Sequence, residues 1–229
     1  MITLVGTGHT LDLSSSITKI IDEKKPDIIC VELDKKRYNL LLMKNSNSNN
    51  INELRKDFPI LYKLFARYQN KIAKEFGVNA GDEMLTAIKY AKSHQIQFEL
   101  IDMNPEELYE KTFNSMSFFE KLKISLIGVS LTFFGWIFIS KKDVNEELKK
   151  MQKENGETIN KLGKKYPTIK RILLDERNSY MTDNLIRLND ENKKIIAFVG
   201  DAHVTGISKL LRSNKIEYET VRLGQILKK

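Results

Sequence analysis

Two short motifs, near opposite ends of a 229-residue chain, each close a run of strand-forming residues with Gly-x-x-His. The first is Ile2-Thr3-Leu4-Val5-Gly6-Thr7-Gly8-His9, and the second Ile195-Ile196-Ala197-Phe198-Val199-Gly200-Asp201-Ala202-His203. The chain has three histidines, so two of them occupy equivalent places. Imidazole is the commonest metal ligand and a common general base. Two further apolar runs end in acids: Ile28-Ile29-Cys30-Val31 in Glu32, and Phe98-Glu99-Leu100-Ile101 in Asp102. If these runs are neighbouring parallel strands, their ends meet on the carboxyl rim of one sheet, where open α/β sheets build their sites. His9, His203 and Glu32, with Asp102 or Asp201 nearby, form a mixed nitrogen and oxygen donor set. Such a set suits a divalent metal such as manganese, cobalt, zinc or iron. Gly6, Gly8 and Gly200 let the backbone turn off the strands and approach a ligand closely.

Each residue also has a plainer reading. His9 could cap a helix that starts near Asp12, His203 could cap one near Gly206, and Glu32 could pair with Arg37 at the surface. Repetition at four strand ends is what favours a joint site. On a later helix, Glu176 and Tyr180 are four residues apart and share a face. Asp175, Glu176 and Arg177 read equally well as a solvated face with an ion pair. His94 follows a polar helix end and is expected at the surface, and Cys30 is expected to be buried in mid-strand. The chain has no Gly-x-Ser-x-Gly elbow, phosphate loop or His-Glu-x-x-His helix, so the signals of serine hydrolases, P-loop enzymes and zincins are absent.

The elements that must position these groups follow from periodicity. After the first strand, Asp12 or Ser14 is expected to cap a helix reaching about Lys24, with Ile17, Ile20 and Ile21 on one face. Pro26-Asp27 breaks it. Ile28 to Val31 is the continuous apolar run of a parallel strand buried on both faces. A helix over about 35–43, a polar loop over 45–50, a mostly helical stretch over 51–76 and a helix from Gly81 to about His94 lead to the third strand at 98–101. Pro105 opens the next helix. Residues 124–139 are the most apolar stretch, ISLIGVSLTFFGWIFI, flanked by Lys121, Lys123, Lys141 and Lys142. It falls short of the roughly 20 apolar residues of a membrane span, and is expected to form a core or homodimer helix, with peripheral membrane contact as the rival. A charged helix over 143–165 and a long helix from Pro167 to about Leu188 follow, with Ile169, Ile172, Leu173 and Leu185 at core spacing. The fourth strand covers 195–199, a short helix 206–212, and a half-exposed edge strand 216–221. The expected architecture is a single α/β domain over 1–229, with a mainly parallel central sheet flanked by helices and a large helical insertion at about 105–165.

The net charge of +8 is spread along the chain, which favours solvated lysine-rich helices over a nucleic-acid surface. One cysteine provides no disulfide framework, which points to a reducing, cytoplasmic compartment. The N-terminus enters a strand at once, so no signal peptide is expected.

Taken together, these motifs make the chain resemble the TraB/PrgY family, named for proteins that shut down peptide pheromone signalling. The matching residues are Gly6-Thr7-Gly8-His9; Pro26-Asp27 with Val31-Glu32-Leu33-Asp34 and Arg37; Gly81-Asp82-Glu83-Met84; Leu100-Ile101-Asp102; Asp175-Glu176-Arg177-Asn178 with Tyr180-Met181; and Val199-Gly200-Asp201-Ala202-His203-Val204 with Gly206-Ile207. The family is related to the membrane-tethered Tiki metalloproteases, and more distantly to the erythromycin-esterase and haem-binding ChaN groups. The resemblance implies a metal-dependent, peptidase-like site, with His9, Glu32 and His203 as metal ligands, Glu176 as general base and Arg177 stabilising negative charge. It turns Glu176 and Arg177 from a solvated face into site residues. A non-catalytic protein that binds peptide, metal or haem is the alternative. The sequence also departs from the family. Relatives often carry arginine directly after the aspartate that ends the third strand, where this chain has Met103. Several also have C-terminal membrane segments, whereas this chain is expected to be a minimal soluble version.

Overall fold

A computed structural model describes residues 1–8, 13–45, 81–121, 167–190 and 193–227. The apolar runs become parallel strands: β1 (Ile2–Thr7), β2 (Ile28–Val31), β3 (Gln97–Leu100), β4 (Ile195–Gly200) and β5 (Tyr218–Val221). They form one sheet in the order β3-β2-β4-β1-β5. Every pairing is parallel, with Thr7 opposite Gly200, Val31 opposite Phe198 and Val31 opposite Leu100. The ends of β1 to β4 therefore lie along one rim. β5 pairs with β1 and forms an edge, as its alternating sequence predicts.

The intervening helices cover both faces, making an α/β sheet of three layers. On one face, Val5, Ile29, Val31, Ile196 and Phe198 pack against α1 (Ser14–Lys24) and α3 (Asp82–Ser93), through Ile17, Ile21, Met84 and Ile88. On the other, Ile2, Leu4, Cys30, Ala197 and Val199 pack against Met181 and Leu185 of α6 (Arg177–Leu188) and Ile207 and Leu211 of α7 (Asp201–Ser213). Alternate strand residues face alternate layers, which explains why the strands read as unbroken apolar runs. Other helices among the described residues include α2 (Lys35–Asn45), α4 (Pro105–Ser115), the short α5 (Pro167–Lys170) and α8 (Leu223–Ile226). Cys30 is buried, and burial pushes its thiol pKa far up, so it is inert. His94 is exposed and stacks on Tyr90 at 4.0 Å.

Three expectations are corrected. Helix α1 starts at Ser14 behind Leu13 with no side-chain cap, and Ser14 turns its hydroxyl to Thr86 at 3.3 Å. The long helix from Pro167 is interrupted by a π-helical turn over Arg171–Glu176. Helix α7 begins at Asp201, not Gly206, so His203 stands in its first turn. Glycine reads as a helix boundary in sequence, but Gly206 is internal to α7. The expectations for 46–76, 124–139 and 143–165, together with His9 and Asp12, lie outside the described residues, as does most of the insertion. No helix among the described residues is long and apolar enough to cross a membrane.

Candidate functional site

The rim is organised around Glu32, the first residue past β2. Its side chain is 4% exposed. Oε2 accepts the Gly200 N–H from the end of β4 at 2.5 Å, and Oε1 accepts from the Arg177 guanidinium. His203 brings Nε2 to 3.4 Å from the same Oε1. Its other ring nitrogen, Nδ1, lies 2.7 Å from Asn178 Oδ1. His203 and Asn178 are both buried.

A second acid completes the arrangement. Asp102, just past β3, accepts Nε of Arg177 at 3.0 Å and Nη2 at 2.5 Å, a bidentate pair. It also accepts Nη2 of Arg37 and the backbone N–H of Met103. Arg37 is held in turn by Asp34, whose Oδ1 accepts the N–H groups of Lys36 and Arg37 at the start of α2. Helix α2 is therefore aimed by its own capping acid, and it delivers a cation to the rim. Burial alone would push the Asp102 carboxyl up, but Arg37 and Arg177 outweigh it and hold it well below the usual range. Burial would lower the Arg177 pKa, and Glu32 and Asp102 more than restore it. Among the described residues, Glu32, Asp34 and Asp102 are thus tied together by the guanidiniums of Arg37 and Arg177.

The π turn sets the phase of Arg177 and Asn178. Ile172 and Met181 are both fully buried. The wider turn absorbs one residue, so the segment packs on both sides of the turn while Arg177 and Asn178 face the rim.

Other expected site residues are placed elsewhere. Glu176 pairs with Lys111 at 2.6 Å and Arg171 at 3.8 Å, not with Glu32 or His203. Tyr180 is exposed. Asp175 pairs with Lys170 at the surface. Asp201 binds Arg222 at 2.9 and 2.6 Å and accepts the Leu223 N–H at 3.0 Å, so it anchors α8. Gly6 leaves room for that acid: a Cβ on Gly6 would come within 2.1 Å of Asp201 Oδ1. Glu32 does not pair with Arg37 at the surface; it is buried and pairs with Arg177. Gly8 follows β1 at the rim, and His9 lies outside the described residues. Sequence reasoning missed Asn178 as the partner of His203 and Arg37 as the partner of Asp102. The signal for Asn178 was its place after Arg177 on one helix. For Arg37 it was the Asp-x-x-Arg spacing at a helix start.

The donor set can be tested for a divalent cation. Two donors each about 2.1 Å from one tetrahedral ion stand ~3.4 Å apart, the spacing of His203 Nε2 and Glu32 Oε1. A hydrogen-bonded second nitrogen is the usual support of a ligating histidine. No third His, Cys, Asp or Glu among the described residues completes a metal cluster with them. The pair therefore fits two positions of a metal's ligand shell.

Residues 1–221 match the TraB/PrgY/gumN family. An uncharacterised protein of Methanocaldococcus jannaschii is 31% identical over 217 residues, covering 91% of this chain and 53% of that protein. TraB domain-containing proteins of Mus musculus and Homo sapiens are each 22% identical over 238 residues, covering 90% of this chain and 61% of theirs. The chain thus spans between about half and three-fifths of the length of these relatives.

Proposed function

This chain belongs to the TraB/PrgY/gumN family, and on that premise we propose that its rim is a metal-dependent, peptidase-like hydrolase site acting on a peptide. The observation that carries the reading is the buried pair of His203 Nε2 and Glu32 Oε1 at 3.4 Å. His203 and Glu32 would hold the ion, with His9 as third ligand from the matching Gly-x-x-His motif; zinc, manganese or cobalt suits such donors. A divalent ion there supplies a water acidified toward neutral pH. Arg177, pinned by Asp102, offers a preorganised donor to negative charge developing on the substrate carbonyl. Glu176, the residue before it, would be the general base of such a site, although it pairs with Lys111 in this structure. Arg37 and Arg177 provide Asp102 with the positive charge that relatives often place next to it and that Met103 does not. We place the protein in the cytoplasm. Residues 124–139 are its proposed homodimer contact, with a peripheral membrane contact as the alternative.

One observation favours a second reading, a non-catalytic binder of peptide, metal or haem. Both oxygens of Glu32 and both of Asp102 already engage protein donors. Incubation with a peptide library separates the two. The hydrolase reading expects cleavage that stops with chelator and is lost in His203→Ala. Stoichiometric haem or metal binding without cleavage supports the binder.

A further inference from the structure

We infer that Arg222 is a positioning residue for the rim: through Asp201 it straps the junction of β4 and α7, and so fixes the Gly200 N–H that grips Glu32. The strap serves the rim whether the rim hydrolyses a peptide or only binds a ligand. β1 lies between β4 and β5 in the sheet, so a side chain at the end of β4 reaches the end of β5 only by crossing β1. Asp201 makes that crossing. Its Oδ1 accepts Arg222 Nε at 2.9 Å and the Leu223 N–H at 3.0 Å, and its Oδ2 accepts Nη2 at 2.6 Å. The crossing point is Gly6, where a Cβ would come within 2.1 Å of Asp201 Oδ1 and 3.2 Å of Val204 Cγ2. A loose carboxylate could swing away from an added methyl. This one would have to break both bonds of Oδ1 to do so. The glycine of the first Gly-x-x-His motif is therefore the seat for the acid inside the second.

What the strap holds is the first turn of α7. The first N–H groups of a helix have no partner within it, and α7 has no side-chain cap to hold them. Its start is held from outside instead. Besides the Asp201 carboxylate, the Arg222 guanidinium reaches the Thr205 hydroxyl oxygen from Nη1 at 3.2 Å and the Asp201 carbonyl from Nη2 at 3.4 Å, so it spans the turn. Arg222 is set in its own place by Gln225, whose Oε1 accepts the Arg222 N–H at 2.7 Å. Gly200 comes directly before this turn and donates its N–H to Glu32 Oε2 at 2.5 Å. His203 stands in the turn itself. A continuous chain of bonds thus runs from α8, over β1, to the buried acid at the centre of the rim.

A strap that only anchored the C-terminal edge would leave the rim untouched, and the Gly200 amide proton tells the two roles apart by NMR. Its resonance reports the bond to Glu32, and a short bond to a charged acceptor places it far downfield in wild type. Glu32→Gln marks where it falls once the acceptor is neutral. Arg222→Ala should move it upfield toward that mark. Arg222→Lys should lie between, because an ammonium keeps the charge but not the fork. Gly6→Ala should reproduce Arg222→Ala with both charged partners still present. Added to Arg222→Ala, it should move the resonance little further, as expected for two changes to one contact. Arg222 and Asp201 are partly exposed, so the Arg222 variants should fold and decide the matter even where Gly6→Ala does not. Faster hydrogen exchange over 218–227 in Arg222→Ala, with the Gly200 resonance still at its wild-type position, overturns the inference. So does a wild-type resonance that already coincides with that of Glu32→Gln.

Discussion

At the scale of single residues, Arg177 is the element of the rim hardest to replace. Its guanidinium bridges Glu32 and Asp102, both buried. Arg177→Ala would take a guanidinium from two buried carboxylates, leaving Asp102 with Arg37 and Glu32 with the Gly200 N–H, and removing one partner of a buried pair costs about 3–5 kcal/mol. Denaturant unfolding should show a loss of that order, with Arg177→Lys intermediate because ammonium cannot reproduce the bidentate fork. Asp102 gives the acid limb of stability. Its folded pKa is depressed, so its contribution is complete above the unfolded value of roughly 3.9, and is lost as pH falls through the folded value. Wild-type stability should fall steadily below about pH 4, and Asp102→Asn should flatten that limb while lowering stability at neutral pH. An unchanged slope in thermal melts across this window would remove Asp102 as its source. The strand-end acids Glu32 and Asp102 and the second histidine were legible as candidates because each closes an apolar run. Their partners were not. Pairing Glu32 with Arg177 needs contact between residues 145 apart in sequence, and no local pattern encodes it.

At the scale of elements, the helices explain most of what sequence periodicity missed. The core spacing after Pro167 holds only piecewise, because the π turn over Arg171–Glu176 shifts the phase in its middle. A 3.6-residue template cannot carry a turn closed by i→i+5 hydrogen bonds, so periodicity does not predict the facing of Arg177. Helix α7 starts five residues before Gly206, the glycine that marks its boundary in sequence, and Gly206 serves tertiary packing against Asn178. At the C-terminal edge, Arg222 clamps α8 to the start of α7 through Asp201. The pair is partly exposed, so Arg222→Ala should cost only about 1 kcal/mol globally. It should nevertheless speed hydrogen exchange selectively over 218–227; protection unchanged there would show that Leu223 and Ile226 hold α8 alone. On the same clamp, Gly6→Ala would drive a methyl into Asp201 and should destabilise the fold by about 1–3 kcal/mol in chemical denaturation.

At the scale of the whole molecule, β1, β2 and β4 were readable because parallel strands buried on both faces leave unbroken apolar runs, and β5 because an alternating pattern marks a half-exposed edge. Their common direction followed from the helices between them. That is why the sequence alone predicts that four strand ends share a rim. The central claim is that this rim holds a divalent ion through His203 and Glu32. The most direct measurement is elemental analysis of purified protein after incubation with Zn2+, Mn2+ or Co2+ and removal of free metal, comparing wild type with His203→Gln combined with Glu32→Gln. The account predicts stoichiometric metal in wild type and its loss in the double variant, with both proteins folded by circular dichroism. Equal metal content in the two proteins, or none in wild type with all three ions, would contradict it.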